Sequence, residues 1–180
     1  MNIAFKEWAL VCEALGRGEQ SIILRKGGIA EGRAGFRFQH PGFLLLPTLF
    51  HEQAAKLRVP AETPLPAVRL DGQLEVRFTA RVEWTQDIDD WSKVQALAPF
   101  HLWQEFEIEK RFRQDEKQMV SLAFVRVQRL SEPFIFPDSP RYGGCRSWVE
   151  VPELPAQITR IDVLDEAAHR ARETALRAVL

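Results

Sequence analysis

Residues 74–85 alternate apolar and polar side chains over twelve positions without a break. The apolar set is Leu74, Val76, Phe78, Ala80, Val82 and Trp84. Because successive side chains of a β-strand point to opposite faces of its sheet, this period of two predicts a long strand with one buried and one wet face. Strands that alternate so cleanly are typical of an antiparallel sheet covered on one face by helices.

Shorter patterns predict the remaining elements. Apolar spacing predicts helices over residues 3–15, 48–57, 91–97 and 162–180, with Thr48 as the N-cap of the second. Apolar and alternating runs predict strands over residues 21–25, 36–38, 43–46, 105–112 and 120–130. Three prolines and a glycine in residues 58–72 predict an exposed connector. We therefore expect one α+β domain over residues 1–180, with a curved, mostly antiparallel sheet or small barrel and flanking helices.

Composition excludes several classes of protein. The chain has 180 residues, of which 46% are apolar and 27% charged, as in folded globular proteins. Its net charge is −1, so any contact with nucleic acid needs a local cluster of cations. Two cysteines cannot build a disulfide framework or a four-cysteine zinc site. The N-terminal residues lack a signal-peptide pattern and the longest apolar stretch, 43–50, is too short to span a bilayer, so we expect a cytoplasmic protein without a membrane partner.

Two segments combine glycines with cations. Residues 25–33 read Arg-Lys-Gly-Gly-Ile-Ala-Glu-Gly-Arg, and residues 140–148 read Pro-Arg-Tyr-Gly-Gly-Cys-Arg-Ser-Trp. Glycine lets the backbone approach a ligand closely, and arginine offers a planar pair of donors to an oxyanion. We expect the two segments to form one anion-binding site; a plain hairpin and a glycine-rich corner with Trp148 in the core are the alternatives. The predicted ligand contacts are Arg25, Lys26, Gly27, Gly28, Glu31, Arg33, Arg141, Tyr142, Arg146 and Trp148.

Catalytic and metal-binding patterns are weak. The four histidines are isolated from one another and from the cysteines, which argues against a zinc site. If the protein is an enzyme, His51 is the general base that we would assign, with Glu31 as a second acid–base candidate. Capping of the following helix explains Asp87, Asp89 and Asp90 as well as a divalent cation does, and we favour capping. The sequence therefore predicts neither a metal nor a cofactor.

Several motifs resemble one bacterial family. They are residues 2–8, Leu15-Gly16 with Gly18, residues 23–29, residues 43–47 with His51, and residues 142–149. Together they resemble the family called domain of unknown function 1802 over nearly the whole chain. That family has no assigned activity, and similar domains occur beside restriction-endonuclease-type domains, so the resemblance implies a role near DNA defence.

A second resemblance concerns the Glu31-x-Arg33 pair. It is similar to the Glu-x-Arg of small RNA-binding or modified-base-binding barrels of the pseudouridine-synthase-associated type. In those barrels a glycine and a lysine precede the pair, whereas here Lys26 and Gly28 stand in the reverse order. This resemblance keeps a nucleic-acid ligand open.

The residues lead to one principal hypothesis and two alternatives. The principal hypothesis is a non-catalytic nucleic-acid-binding or nucleotide-binding module, in which the basic residues contact phosphate and Tyr142 or Trp148 stacks on a base. The first alternative is a small enzyme acting on a phosphorylated or carboxylated substrate, with His51 and Glu31 as its acid–base groups. The second is a protein-interaction subunit, such as a homodimer formed through the alternating strands.

Overall fold

Apolar and alternating runs fold into an α+β structure. The computed structural model describes residues 2–26, 36–114 and 116–180. In chain order the strands and helices are β1 (Asn2–Trp8), α1 (Ala9–Gly16), β2 (Ile22–Arg25), β3 (Gly42–Thr48), α2 (Gln53–Lys56), β4 (Arg69–Leu70), β5 (Gln73–Ile88), α3 (Trp91–Ala96), α4 (Glu105–Phe112), β6 (Val120–Pro137), β7 (Trp148–Val151), β8 (Arg160–Asp162) and α5 (Glu166–Arg177).

The described strands form one curved sheet. Its order is β2-β6-β5-β3-β1-β7, with β4 added to β5 and β8 added to β6. The pairs are antiparallel except for β1 and β3, which run parallel. Register shifts at Val76/Phe78 and Val82/Trp84 interrupt the long β5–β6 ladder, and such bulges bend a sheet. Within the described chain β2 and β7 do not pair with each other, so the predicted α+β fold is confirmed as a curved open sheet and not as a closed barrel.

Two apolar clusters hold the sheet and its helices together. The larger one joins α1 and α4 to the inner faces of β1, β2 and β6, with Phe5, Leu15 and Phe124 fully buried. The smaller one lies at the other end of β5 and β6 and includes Val76 and Tyr142. Full burial of a large apolar side chain contributes about 1.5–3 kcal/mol, so these clusters are the main source of stability.

The N-terminal element corrects one prediction. The single helix expected over residues 3–15 is wrong in its first half, where the chain forms β1. Buried Phe5 and Glu7 alternate there with half-buried Lys6 and Trp8, which is a period of two. Since β1 pairs with both β3 and β7, distant partners override the local helical spacing. The second half forms α1, as predicted.

The strand expected over residues 105–112 is also wrong, because this segment is the helix α4. Ile108 and Phe112 lie one helical turn apart and are buried, whereas Phe106 is 57% exposed. Acidic residues in the first turn and basic residues in the last turn match the helix dipole. The helix therefore buries its apolar stripe together with Glu107 and most of Arg111, and leaves Glu105, Lys110 and Phe106 exposed.

Two smaller predictions need correction. Phe36 and Phe38 lie outside the strands, and their rings pack against Phe5 at centroid distances of 6.0 Å. Thr48 does not cap a helix: it ends β3, and its Oγ1 donates to the carbonyl of Glu7 at 3.0 Å. The helix predicted over residues 48–57 is therefore shortened to α2. Aromatic packing and a tertiary hydrogen bond thus replace the local structure expected there.

The other predicted elements are confirmed. They are β2, β3, β5, β6, α3 and α5. Asp90 accepts a hydrogen bond from the backbone N–H of Ser92 at 2.9 Å, so it caps α3 as expected. Residues 58–72 are irregular apart from β4. Among the described residues, we find no helix with both the length and the apolar character needed to cross a membrane.

Candidate functional site

One open cleft of about 810 Å³ collects basic side chains from several parts of the chain. Seven of its fifteen described lining residues are Lys or Arg, and Glu107 is the acidic one among them. Arg25 and Lys26 from the first predicted segment line it together with Arg146 from the second. The described lining is Lys6, Trp8, Arg25, Lys26, Thr48, Phe50, Lys56, Glu107, Lys110, Arg111, Gln114, Gly144, Cys145, Arg146 and Ser147.

Strand β1 lies between Arg25 and the loop that precedes β7. Its antiparallel ladder with β7 ends at the pair Phe5/Trp148, and the N–H of Lys6 then donates to the carbonyl of Ser147 at 2.8 Å. The Lys6 ammonium donates to the carbonyl of Gly144 at 2.6 Å. The loop before β7 is therefore fixed alongside β1, on which the side chain of Arg25 also rests.

Arg25 forms an inner wall of the cleft and is held by internal contacts. Its Nη2 donates to the Lys6 carbonyl, its Nη1 lies 3.7 Å from Oε1 of Glu7, and its guanidinium carbon lies 4.7 Å from the centroid of the Phe5 ring. Its side chain is 16% exposed. Because Glu7 is buried, part of the charge of Arg25 is already compensated inside the protein.

Arg111 forms a second inner wall and comes from α4. Its Nε lies 3.4 Å from Oε1 of Glu107, and its guanidinium carbon lies 3.7 Å from the centroid of Trp103 and 5.5 Å from that of Trp8. Burial lowers the pKa of Arg111, and the nearby positive charge of Arg25 lowers it further. The sequence prediction missed this residue because it placed the segment in a strand.

Lys110 and Arg146 form the exposed rim. Neither side chain makes a hydrogen bond or an ion pair within the described chain, so both charges face solvent. Lys6 lies between rim and wall: burial lowers the pKa of its ammonium, as do the charges of Arg146 and Arg25, while Cys145 acts in the opposite direction. Like charges held this close repel one another, and an anion in the cleft would relieve that repulsion.

Two aromatic side chains lie among these cations. Trp8 and Phe50 line the cleft with their ring centroids 5.4 Å apart and an interplanar angle of 44°. The Trp8 ring also packs against the ring of Trp103, and the two centroids lie 4.5 Å apart. An aromatic wall beside cations is the combination that proteins use to hold a base together with its phosphate.

Other predicted contacts lie elsewhere. Nη2 of Arg141 donates to the hydroxyl of Tyr142 at 2.6 Å, and the Tyr142 ring is buried edge-on against Phe136. Trp148 is half-buried and packs on Phe5 at 4.8 Å. Both rings therefore pack against other side chains of the protein, as in the alternative of a glycine-rich corner with Trp148 in the core. The predicted contacts Gly27, Gly28, Glu31 and Arg33 lie outside the described residues.

The catalytic candidate His51 lies outside the described lining of the cleft. Its side chain is 86% exposed, and its Nε2 lies 3.7 Å from Oε1 of Glu52. Its companion Glu31 lies outside the described residues. Within the described chain no three His, Cys, Asp or Glu side chains are grouped so that they could hold a metal ion.

A second, smaller groove of about 390 Å³ runs between β3, β5 and β6. Its cations are Arg81 and Arg160, and Nη2 of Arg81 is already bound to Oε1 of Glu83 at 2.7 Å. Its walls include the apolar residues Ile3 and Phe43. This groove has two cations, whereas the cleft has seven, so it is the surface against which binding in the cleft can be compared.

The chain belongs to the family described as Domain of unknown function (DUF1802), whose model matches residues 4–175. The resemblance noted in the sequence is thereby confirmed. Comparison with curated proteins gives no match. The family description names no activity.

Among solved structures, the chain is similar to ASCH from Zymomonas mobilis, with 11% identity and a TM-score of 0.44 over 69% of this chain and 66% of that one. This chain thus spans slightly under two thirds of that protein's length. It is also similar to a mutant form of the same ASCH protein, with 11% identity and a TM-score of 0.49 over 97% of this chain and 94% of that one.

Proposed function

We propose that the cleft binds the phosphate groups of a nucleic acid or nucleotide, and that the protein acts as a binding module. The observation that carries this proposal is the concentration of seven cations around one concavity in a chain whose net charge is −1. Lysine and arginine at that density attract a polyanion, because each phosphate contact releases condensed counterions.

The aromatic wall favours a nucleic acid over an unspecific anion. Trp8 and Phe50 offer ring surface next to Lys6 and Lys56. Stacking on an aromatic side chain contributes about 1–3 kcal/mol per base and tolerates every base. A phosphate on the cations with its base on this wall would use both parts of the cleft at once.

The test is a binding titration with fluorescently labelled oligonucleotides. DNA and RNA, each single-stranded and duplex, are titrated at about 50 mM salt, where phosphate contacts are strong. The double variant Lys110→Glu/Arg146→Glu reverses the two rim charges. The matched control Lys93→Glu/Arg170→Glu changes the net charge equally on α3 and α5, outside the described lining.

We expect the rim variant to lose at least about tenfold in affinity and the control to stay close to the unmodified protein. The absence of binding to all four probes would refute the proposal. An equal loss in both variants would refute it as well, because the affinity would then follow net charge and not the cleft.

The homodimer stays a prediction that analytical ultracentrifugation over a range of concentrations can check.

A further inference from the structure

We propose that the guanidinium of Arg111 is a preoriented, recessed binding group for one phosphate, which it contacts through both Nη atoms. We propose that this contact makes the cleft select single-stranded nucleic acid over duplex. This inference rests on the proposed function and adds the class of nucleic acid. It assigns the selectivity to a residue of α4 that belongs to neither of the two glycine-containing segments.

The guanidinium of Arg111 is fixed before any ligand arrives. Its Nε donates to Oε1 of Glu107 at 3.4 Å, and its guanidinium carbon lies over the Trp103 ring, 3.7 Å from the ring centroid. Trp103 is 0% exposed, so the surface behind the guanidinium is part of the core. A planar donor group held in this way loses little side-chain freedom on binding.

The terminal donors of Arg111 remain available to a ligand. Within the described chain the one side-chain hydrogen bond of Arg111 is donated by Nε to Glu107, and its Nη groups donate none. The buried side-chain atoms without partners in that part of the molecule are on Glu7, Trp148 and His169, so the Nη groups of Arg111 keep contact with the cleft. Two parallel N–H donors on one guanidinium match the spacing of two phosphate oxygens.

The charge of Arg111 is only partly compensated. Its partner Glu107 is shared with Lys56, whose Nζ lies 4.0 Å from Oε2 of Glu107. Burial lowers the pKa of Arg111 and the like charge of Arg25 lowers it further, while Glu7 and Glu107 act in the opposite direction and do not outweigh them. A phosphate at the Nη groups would supply the missing negative charge in a place where water screens it poorly.

The position of Arg111 below the rim sets the shape of ligand that can reach it. Its side chain is 15% exposed, whereas Lys110 and Arg146 are exposed. A duplex is a stiff rod with a persistence length of about 150 bp, so it can lie across the rim but cannot fold a phosphate inward. A single strand bends freely and also presents unpaired bases to Trp8.

The experiment uses the variant Arg111→Lys, which keeps the positive charge and removes the planar pair of Nη donors. Its binding to single-stranded and duplex oligonucleotides of the same sequence, as DNA and as RNA, is measured across a salt series. The unmodified protein should bind the single strand at least about tenfold more tightly than the duplex. Arg111→Lys should lose most of that preference, keep its duplex affinity, and keep the same slope of log K against log salt, since the number of charges is unchanged.

Unchanged single-strand affinity in Arg111→Lys, or an equal loss for both probes, would overturn the inference. If the unmodified protein binds both probes equally, the inference fails while the proposed function stands; if it binds neither, both fail. Should the lysine variant not fold, NMR of the Arg111 side-chain Nε–H in the unmodified protein decides. Its resonance should shift with the single strand and stay in place with the duplex, and the opposite result contradicts the proposal.

Discussion

Two arginines of the second glycine-containing segment give a quantitative test of the cleft. Arg146 lines it and has no hydrogen bond or ion pair within the described chain, whereas Arg141 lies outside the described lining with its guanidinium on the Tyr142 hydroxyl. Each phosphate contact with a single strand contributes about −0.7 to the slope of log K against log salt. If all seven cations of the cleft contacted phosphates, the slope would be about −5.

The variant Arg146→Gln should therefore make the slope about 0.7 less steep. Between 50 and 200 mM salt this corresponds to a loss of affinity about 2.6-fold smaller than that of the unmodified protein. Arg141→Gln should leave the slope unchanged. Fluorescence anisotropy with a labelled single-stranded oligonucleotide at five or more salt concentrations measures both slopes. A larger change for Arg141→Gln than for Arg146→Gln would refute the assignment of the cleft.

Two further predictions concern stability. Burial, with the charges of Arg58 and Arg111, lowers the pKa of His101 to about 3 from its usual 6.5, so the folded state keeps this ring neutral while the unfolded chain takes up a proton. The resulting stability is fully present above pH 6.5 and is lost as the pH falls towards 3. Between pH 3 and 6.5, His101→Asn should lower the slope of the unfolding free energy against pH by up to about 1.4 kcal/mol per pH unit. Urea unfolding at several pH values measures this slope. An unchanged slope would contradict the lowered pKa of His101 in the folded protein. A Cβ at Gly16 would overlap the buried ring of Phe78, whereas one at Gly42 has its nearest neighbour at 3.8 Å. Gly16→Ala should therefore cost about 1–3 kcal/mol and Gly42→Ala much less, and equal unfolding midpoints would show that the Phe78 ring moves aside freely.

The long strands were accessible from the sequence because their pattern is strong and one-sided. Twelve alternating residues leave no other way to bury the apolar set, and β5 follows the prediction closely. Arg25, Lys26 and Arg146 were predicted as ligand contacts because glycines lie near them in the sequence, and in the structure all three line the cleft. That they line one cleft depends on the pairing of β1 with β7, which no local pattern contains.

The contribution of α4 was missed for a physical reason. Over eight residues, Phe106, Ile108 and Phe112 fit a two-residue period as well as a helical one. The sequence does contain a signal for the helix: Glu107–Arg111 and Glu109–Arg113 are both spaced by four residues, and both form ion pairs in the structure. The spacing of these two pairs predicts a helix that carries both Lys110 and Arg111.

Tyr142 and Trp148 show the converse difficulty. Aromatic residues between arginines suggest stacking on a base, yet Tyr142 is 5% exposed and Trp148 packs among phenylalanine rings. The aromatic side chains that do line the cleft, Trp8 and Phe50, come from β1 and from the segment after β3. Composition identifies which residue types a site uses, and only the fold decides which copies are at the surface.

Photo-cross-linking tests the central claim most directly. A short single-stranded oligonucleotide carrying a photoreactive base is bound at low salt and irradiated, and the attached residues are mapped by mass spectrometry. The account predicts cross-links at Trp8 or Phe50, in the wall of the cationic cleft. Cross-links confined to the groove of Arg81 and Arg160, or to α5, would contradict it.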